Sequence, residues 1–146
     1  MSPAPSYLSI MQDQFLGKWQ VVESENFDDY MKEVGVGFVT RKAAGSLKPV
    51  MEVTIDNGKW KMYSTTTMKS HTLEFELGKE VDTTTADGRK MKSTFTLGAD
   101  GKLVQDEKKI SSGDKDSVIT RYVQGEKLIA EMQSGNVHAK RIYQKL

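Results

Sequence analysis

Arg121, Arg141 and Tyr143 carry the groups in this chain best suited to holding an anion, two planar forked donors and a phenol. They sit in strand-like segments, Ser117-Val118-Ile119-Thr120-Arg121-Tyr122-Val123 and Ala139-Lys140-Arg141-Ile142-Tyr143. Successive side chains of a strand point to opposite faces. Ser117, Ile119, Arg121 and Val123 therefore share one face, and Val137, Ala139, Arg141 and Tyr143 share another. Facing inward, both guanidinium groups would lie in a poorly solvated interior, where arginine keeps its charge and needs an anion. Neither run of face-mates contains an acidic residue, so a ligand's carboxylate is a fitting partner. Facing outward, the same residues are two surface arginines on ordinary strands, and spacing alone leaves that alternative open.

Other chemistry is sparse. The two histidines, His71 and His138, stand in no metal-ligand spacing, and no metal or cofactor is expected. Ser-His-Asp order, a Gly-rich phosphate loop and a paired catalytic carboxylate motif are all missing, so the chain does not read as an enzyme. With 21 Lys and Arg against 20 Asp and Glu, the net charge of +1 argues against a nucleic-acid surface. The absence of cysteine excludes disulfides, thiol catalysis and thiolate metal sites. Residues 1–13 read as a flexible N-terminal extension ahead of a single domain spanning 14–146. The extension lacks the charged start and apolar run of a secretory signal, and Ser2 follows Met1 where myristoylation needs glycine. A soluble cytoplasmic protein is expected, and a monomer.

The elements that position the arginines are short alternating runs cut by turn pairs. Asn57-Gly58, Asp87-Gly88, Asp100-Gly101, Ser112-Gly113, Gln124-Gly125 and Ser134-Gly135 supply the positive backbone angles of tight hairpins. Between them lie runs such as Val50 to Ile55, Thr72 to Leu77 and Lys92 to Leu97, preceded by a strand over Gly17 to Glu25. Such a meander closes into a sandwich or a barrel, and alternation does not choose between them. Phe27, Tyr30, Met31 and Val34 break the rhythm with the i, i+3, i+4, i+7 pattern of an amphipathic helix. Asn26 suits its N-cap, Asp28 and Asp29 its first turn, and Gly35 its end. A second short helix is expected from Gly37 to Ala44, ended by Gly45. Such a pair suits the end of a barrel, though a helix packed on a sandwich is equally compatible. Trp19 and Trp60 read as core, and Asp106-Glu107-Lys108-Lys109 as a solvated strand face.

Phe15-Leu16-Gly17-Lys18-Trp19 and the run from Glu25 to Gly37 resemble the opening of the intracellular fatty-acid-binding proteins. Thr40-Arg41-Lys42, Lys48-Pro49, Thr85 to Arg89 and Lys92-Ser93-Thr94 extend the likeness, and Arg121 with Arg141-Ile142-Tyr143 matches that family's Arg…Arg-x-Tyr carboxylate site. The resemblance covers Gln14 to Leu146 and is nearest to the heart, adipocyte and myelin branch.

It implies an all-β fold: a ten-stranded antiparallel up-and-down β-barrel, the lipocalin-like β-clam, capped by a helix-turn-helix lid. It also implies carriage of one long-chain fatty acid in an internal cavity. Arg121, Arg141 and Tyr143 would hold the ligand carboxylate. Phe27, Tyr30, Met31, Val36, Pro49, Met68, Ala86, Asp87, Ala130 and Met132 would line the cavity or its entrance. Lys32, Arg41 and Lys42 match a nuclear-import surface in relatives; they also fit transient contact with anionic membranes, or plain surface charge. A nuclear location besides the cytoplasmic one, with nuclear receptors or import machinery as partners, follows from the same likeness. Met68 stands where many relatives carry a phenylalanine, which implies a softer gate. The stretch from Gly98 to Asp116 is longer than usual and is expected to lengthen hairpins away from the entrance. A retinoic acid carrier and a ligand-free interaction module on the same barrel are the alternatives.

Overall fold

The computed structural model describes residues 6–146. Its ten strands are β1 (Gly17–Glu25), β2 (Val50–Asp56), β3 (Lys59–Thr65), β4 (Ser70–Glu76), β5 (Val81–Thr84), β6 (Lys90–Leu97), β7 (Leu103–Lys109), β8 (Ser117–Gln124), β9 (Lys127–Ser134) and β10 (Val137–Lys145). They form one antiparallel sheet in the order β4-β3-β2-β1-β10-β9-β8-β7-β6-β5. Because β1 pairs with both β2 and β10, the first and last strands meet and the meander curls into a barrel. The two edges, β4 and β5, face each other across a seam. His71 Nε2 donates to the Thr84 carbonyl there at 2.6 Å, and Lys69 Nζ donates to the Ala86 carbonyl. The barrel is nearly closed.

Local chemistry accounts for the turns and helices. Asn57 and Gly58 both adopt positive φ, 56° and 81°, as a two-residue type I′ hairpin between β2 and β3 requires. Helix α2 (Phe27–Glu33) buries Tyr30 and Met31 through its 3.6-residue period. Asn26 does not cap it as expected. Its backbone is left-handed (φ 57°), and its Nδ2 donates instead to the His138 carbonyl at 2.7 Å, tying the lid to β10. The sharp turn from β1 into α2 needs that positive φ, which asparagine tolerates better than most residues. Helix α3 runs from Phe38 to Ser46, through Gly45 rather than stopping at it; Leu47 then turns extended ahead of Lys48-Pro49. A residue before proline resists the helical region, which helps to place the end.

A third helix, α1 (Tyr7–Asp13), replaces the loose extension expected up to residue 13; residues 1–5 lie outside the described residues. Ser6 caps it by accepting from the Ser9 amide, Met11 is buried, and the Tyr7 hydroxyl donates to the Ala99 carbonyl at 2.9 Å. One buried residue per two turns gives too weak a pattern for periodicity to register.

The interior is solid at one end and open at the other. At the end covered by α1, Phe15, Trp60, Phe75 and Phe95 stack in sequence with centroid separations of 5.7, 5.4 and 3.6 Å, and Trp19, Met62, Leu103 and Leu128 complete the core. Beneath α2 a smaller cluster of Tyr30, Met31, Val34, Val36, Met132 and Ala139 holds the lid. The loop between β7 and β8 reaches this lid end, where Lys115 Nζ donates to Glu33 Oε1 at 3.0 Å. The long Gly98–Asp116 stretch therefore touches the C-terminal end of the lid helix α2.

Candidate functional site: a hollow barrel with buried guanidinium groups

Between the two clusters lies a cavity of about 510 Å³, within the range of small-molecule sites. Arg121, Arg141 and Tyr143 all line it. The register explains their convergence. Ala130 on β9 pairs with Arg121 on one side and with Arg141 on the other, so the two arginines share a row and a face. Two strand spacings separate their backbones, roughly 10 Å, and the small Ala130 side chain leaves the space between them open. Tyr143 stands two residues beyond Arg141 on the same face of β10 and lines the same cavity.

Each arginine has a particular environment. Arg121 is 9% exposed, and its Nη1 donates to Gln105 Oε1 at 3.0 Å. Burial pushes its pKa below the ordinary value, with Tyr143, Glu107 and Tyr30 opposing. Arg141 Nε donates to Ser24 Oγ at 3.1 Å, and its guanidinium lies 4.1 Å from the centroid of the Phe27 ring on α2. A register shift in β1 between Val21 and Glu23 sets Ser24 opposite Arg141. Burial lowers the Arg141 pKa as well. Neither guanidinium makes a salt bridge to a carboxylate among the described residues, which leaves both able to receive one.

The remaining lining falls into two groups. Phe27, Tyr30, Met31 and Val36 face the cavity from α2 and the loop after it, with Ala130 and Met132 from β9. Pro49, Met68, Ala86 and Asp87 border it from the loops near the seam, where Met68 is 74% exposed. Lys32, Arg41 and Lys42 are not part of the lining. Lys32 and Lys42 are exposed, whereas Arg41 is committed: its Nε pairs with Asp28 Oδ1 at 3.1 Å and its Nη1 donates to the Val36 carbonyl at 2.7 Å. Phe38 and Val39 stand exposed on α3 beside Lys42.

The family model described as the lipocalin / cytosolic fatty-acid binding protein family matches residues 16–146. This chain belongs to that family. Fatty acid-binding protein homolog 5 of Caenorhabditis elegans is 53% identical over 131 residues, covering 90% of this chain and 96% of the relative. Among solved structures, apo lipid binding protein 8 of C. elegans superposes with a TM-score of 0.88 at 33% identity, over 92% of this chain and 96% of that one. A Schistosoma mansoni fatty acid binding protein in complex with arachidonic acid gives a TM-score of 0.84 at 34% identity, over 91% and 96%. These relatives are named for binding, not for a reaction.

Sequence reading missed Gln105 and Glu107, two polar residues on this barrel's wall. On β7 the inward positions are Leu103, Gln105 and Glu107; all three are buried while Lys108 is exposed. The run Asp106 to Lys109 is thus not a uniformly solvated face. A strand of period two points Glu107 inward once Leu103 is fixed in the core. Glu107 is 6% exposed and lines the cavity. Burial raises its carboxyl pKa above the ordinary range, against the opposing pull of Arg89 and Arg121. Arg89, from the turn before β6, also lines the cavity, with Nε and Nη2 on Asp87 at 2.8 and 3.0 Å.

Proposed function

We propose that this protein is an intracellular carrier of one long-chain fatty acid, with the carboxylate held by Arg121, Arg141 and Tyr143 and the chain lying along the apolar wall toward α2. The observation that carries this reading is the row Arg121–Ala130–Arg141: a buried and a half-buried guanidinium group on one face of a hollow barrel, without a carboxylate partner among the described residues. Burying a chain of about sixteen carbons offers on the order of 10 kcal/mol gross at roughly 0.8 kcal/mol per methylene. Water displacement and ligand ordering take back much of that. The tail therefore supplies affinity and the arginines supply orientation. They also select acids over neutral lipids, because a neutral headgroup leaves buried charge unpaired. Membership in a family whose relatives are named for fatty-acid binding supports the same reading.

Calorimetric titration of palmitate and its methyl ester tests it. Arg141→Ala is expected to weaken palmitate roughly tenfold or more, the worth of a charge-assisted hydrogen bond, with a smaller loss for the ester. Equal losses for both ligands remove the carboxylate role.

Delivery to membranes, and to the nucleus with receptors or import machinery as partners, is the finer part of the proposal. Lys42 beside exposed Phe38 on α3, with Val39 next to it and Lys32 exposed on α2, gives the cap basic and apolar groups suited to an anionic bilayer. Arg41, tied to Asp28 and Val36, supports the helix pair more than it presents charge. Transfer of a fluorescent fatty acid to anionic vesicles should slow in a Lys32→Ala/Lys42→Ala variant, and an unchanged rate rejects the contact.

A further inference from the structure

A second polar group sits on the cavity wall beneath α2, joined to the carboxylate row through Gln105, and the protein does not fill its hydrogen-bonding capacity. Arg89 spends Nε and Nη2 on Asp87, while its Nη1 is buried without a partner among the described residues. The Glu107 carboxyl accepts one long hydrogen bond, Oε2 from Gln105 Nε2 at 3.4 Å. The Tyr30 hydroxyl donates to Ser117 Oγ at 2.8 Å, which leaves the Ser117 proton and the phenol oxygen's lone pairs to spare. These residues come together by register and by lid placement. Ser117 on β8 pairs directly with Glu107 on β7, and Tyr30 reaches both from α2 above them. Groups buried this deeply cost binding or stability when left unpaired.

Charge and position narrow what would complete the group. Asp87 neutralises Arg89, so an added anion would meet Asp87 and Glu107 without a free positive charge to balance it. A neutral oxygen fits better, because it accepts from Arg89 and, as a hydroxyl, donates to Glu107, both of which line the cavity. Ser117 precedes Arg121 by four residues on β8, roughly 13 Å along the strand. A chain anchored at Arg121 therefore passes this group with its middle, not with its head.

We propose that Arg89, Glu107 and Tyr30 form a second polar station that takes a hydroxyl or keto oxygen at mid-chain, so that the cavity prefers oxygenated fatty acids to plain ones. This rests on the fatty-acid carrier reading and adds the class of chain. A plain methylene passing the station leaves Arg89 Nη1 and the Glu107 carboxyl unsatisfied, whereas a chain oxygen pairs with them. A hydroxyl set against the apolar wall at Met31, Ile119 or Met132 instead loses its hydrogen bonds to water.

Displacement of a fluorescent fatty acid by stearic acid, and by stearic acid hydroxylated beside the carboxyl, at mid-chain or at the methyl end, tests the station. The mid-chain isomer should bind at least as tightly as stearate, while the methyl-end isomer loses about tenfold, the cost of a buried unpaired hydroxyl, and the isomer hydroxylated beside the carboxyl, at the carboxylate row, gains nothing over stearate. In Glu107→Met and in Arg89→Met the ratio of mid-chain to stearate Kd should rise about tenfold, one good hydrogen bond's worth. Glu107→Gln, which keeps a donor and an acceptor there, should hold the ratio within about twofold. The ratio is read within each variant, so a general loosening of the barrel cancels. Should a variant fail to fold, the isomer series on the unaltered protein decides alone. All three isomers penalised alike, or a ratio unmoved in the methionine variants, overturns the station. Failure of stearate itself to bind would instead remove the carrier reading.

Discussion

Gln105 governs what the buried charge of Arg121 does without a ligand. Its Oε1 accepts from Arg121 Nη1 at 3.0 Å, while its Nε2 donates to Ser93 Oγ at 3.2 Å and to Glu107. Replacing it with leucine keeps the volume and strips the acceptor from a guanidinium that cannot neutralise itself. Gln105→Leu should lower stability by about 1–3 kcal/mol, the cost of an unsatisfied buried partner. Palmitate should recover most of that loss by supplying a carboxylate in place of the amide oxygen. Urea unfolding with and without palmitate checks this, and a deficit of the same size in both conditions would mean that the ligand does not reach Arg121. Arg121 was legible in the sequence as a candidate, but with apolar residues on both faces of its segment, spacing left its direction open, and the family likeness pointed it inward. Gln105 and Glu107 were not, because charged neighbours at Asp106, Lys108 and Lys109 mask the alternation. Only Leu103, held in the core, fixes which of those residues point inward.

The two lid helices are secured differently, and that difference decides which of them moves. Helix α2 buries Tyr30 and Met31 and is tied to β10 by Asn26 and to the β7–β8 loop by Glu33. Helix α3 buries no residue; Arg41 tethers it through Asp28 and the Val36 carbonyl. Few buried contacts mean low local stability. Amides of Phe38–Ser46 should exchange faster than those of Phe27–Glu33, and a bound fatty acid should slow both by giving the cap an apolar floor. Arg41→Ala should speed exchange in α3 by up to roughly fivefold, since an ion pair with one exposed member contributes about 1 kcal/mol or less. Hydrogen exchange by mass spectrometry resolves the segments, and equal rates in α2 and α3 would reject this ranking. The pattern of Phe27, Tyr30, Met31 and Val34 made α2 readable. Helix α1 stayed hidden because its order comes from tertiary contacts, Met11 against the core and Tyr7 on Ala99.

For the whole molecule, the sequence carried the alternating strands and the turns, while the count of ten strands and the choice of barrel over sandwich came from the family likeness. What decides that choice physically is the pairing of β1 with β10 across the length of the chain, a nonlocal contact that no local pattern encodes. Closure has an electrostatic consequence: it seals Glu107 in an interior shared with Arg121 and Gln105 on the barrel wall, Asp87 and Arg89 at the β5–β6 turn, and Tyr30 on α2. Burial raises the Glu107 pKa above its ordinary 4.5; Arg89 and Arg121 oppose the rise and Asp87 adds to it. A carboxyl with a folded pKa above its unfolded one contributes stability that is fully present below the unfolded value and is lost as pH rises through the folded value. The unaltered protein should therefore lose stability relative to Glu107→Gln as pH climbs upward from about 4.5. A fatty-acid carboxylate nearby adds negative charge and pushes Glu107 further the same way, so binding takes up a proton and the window moves higher with palmitate. Urea midpoints for both proteins over roughly pH 4 to 8, with and without palmitate, give the difference directly. A difference that stays flat with pH would mean that water in the cavity solvates Glu107 as fully as bulk solvent does.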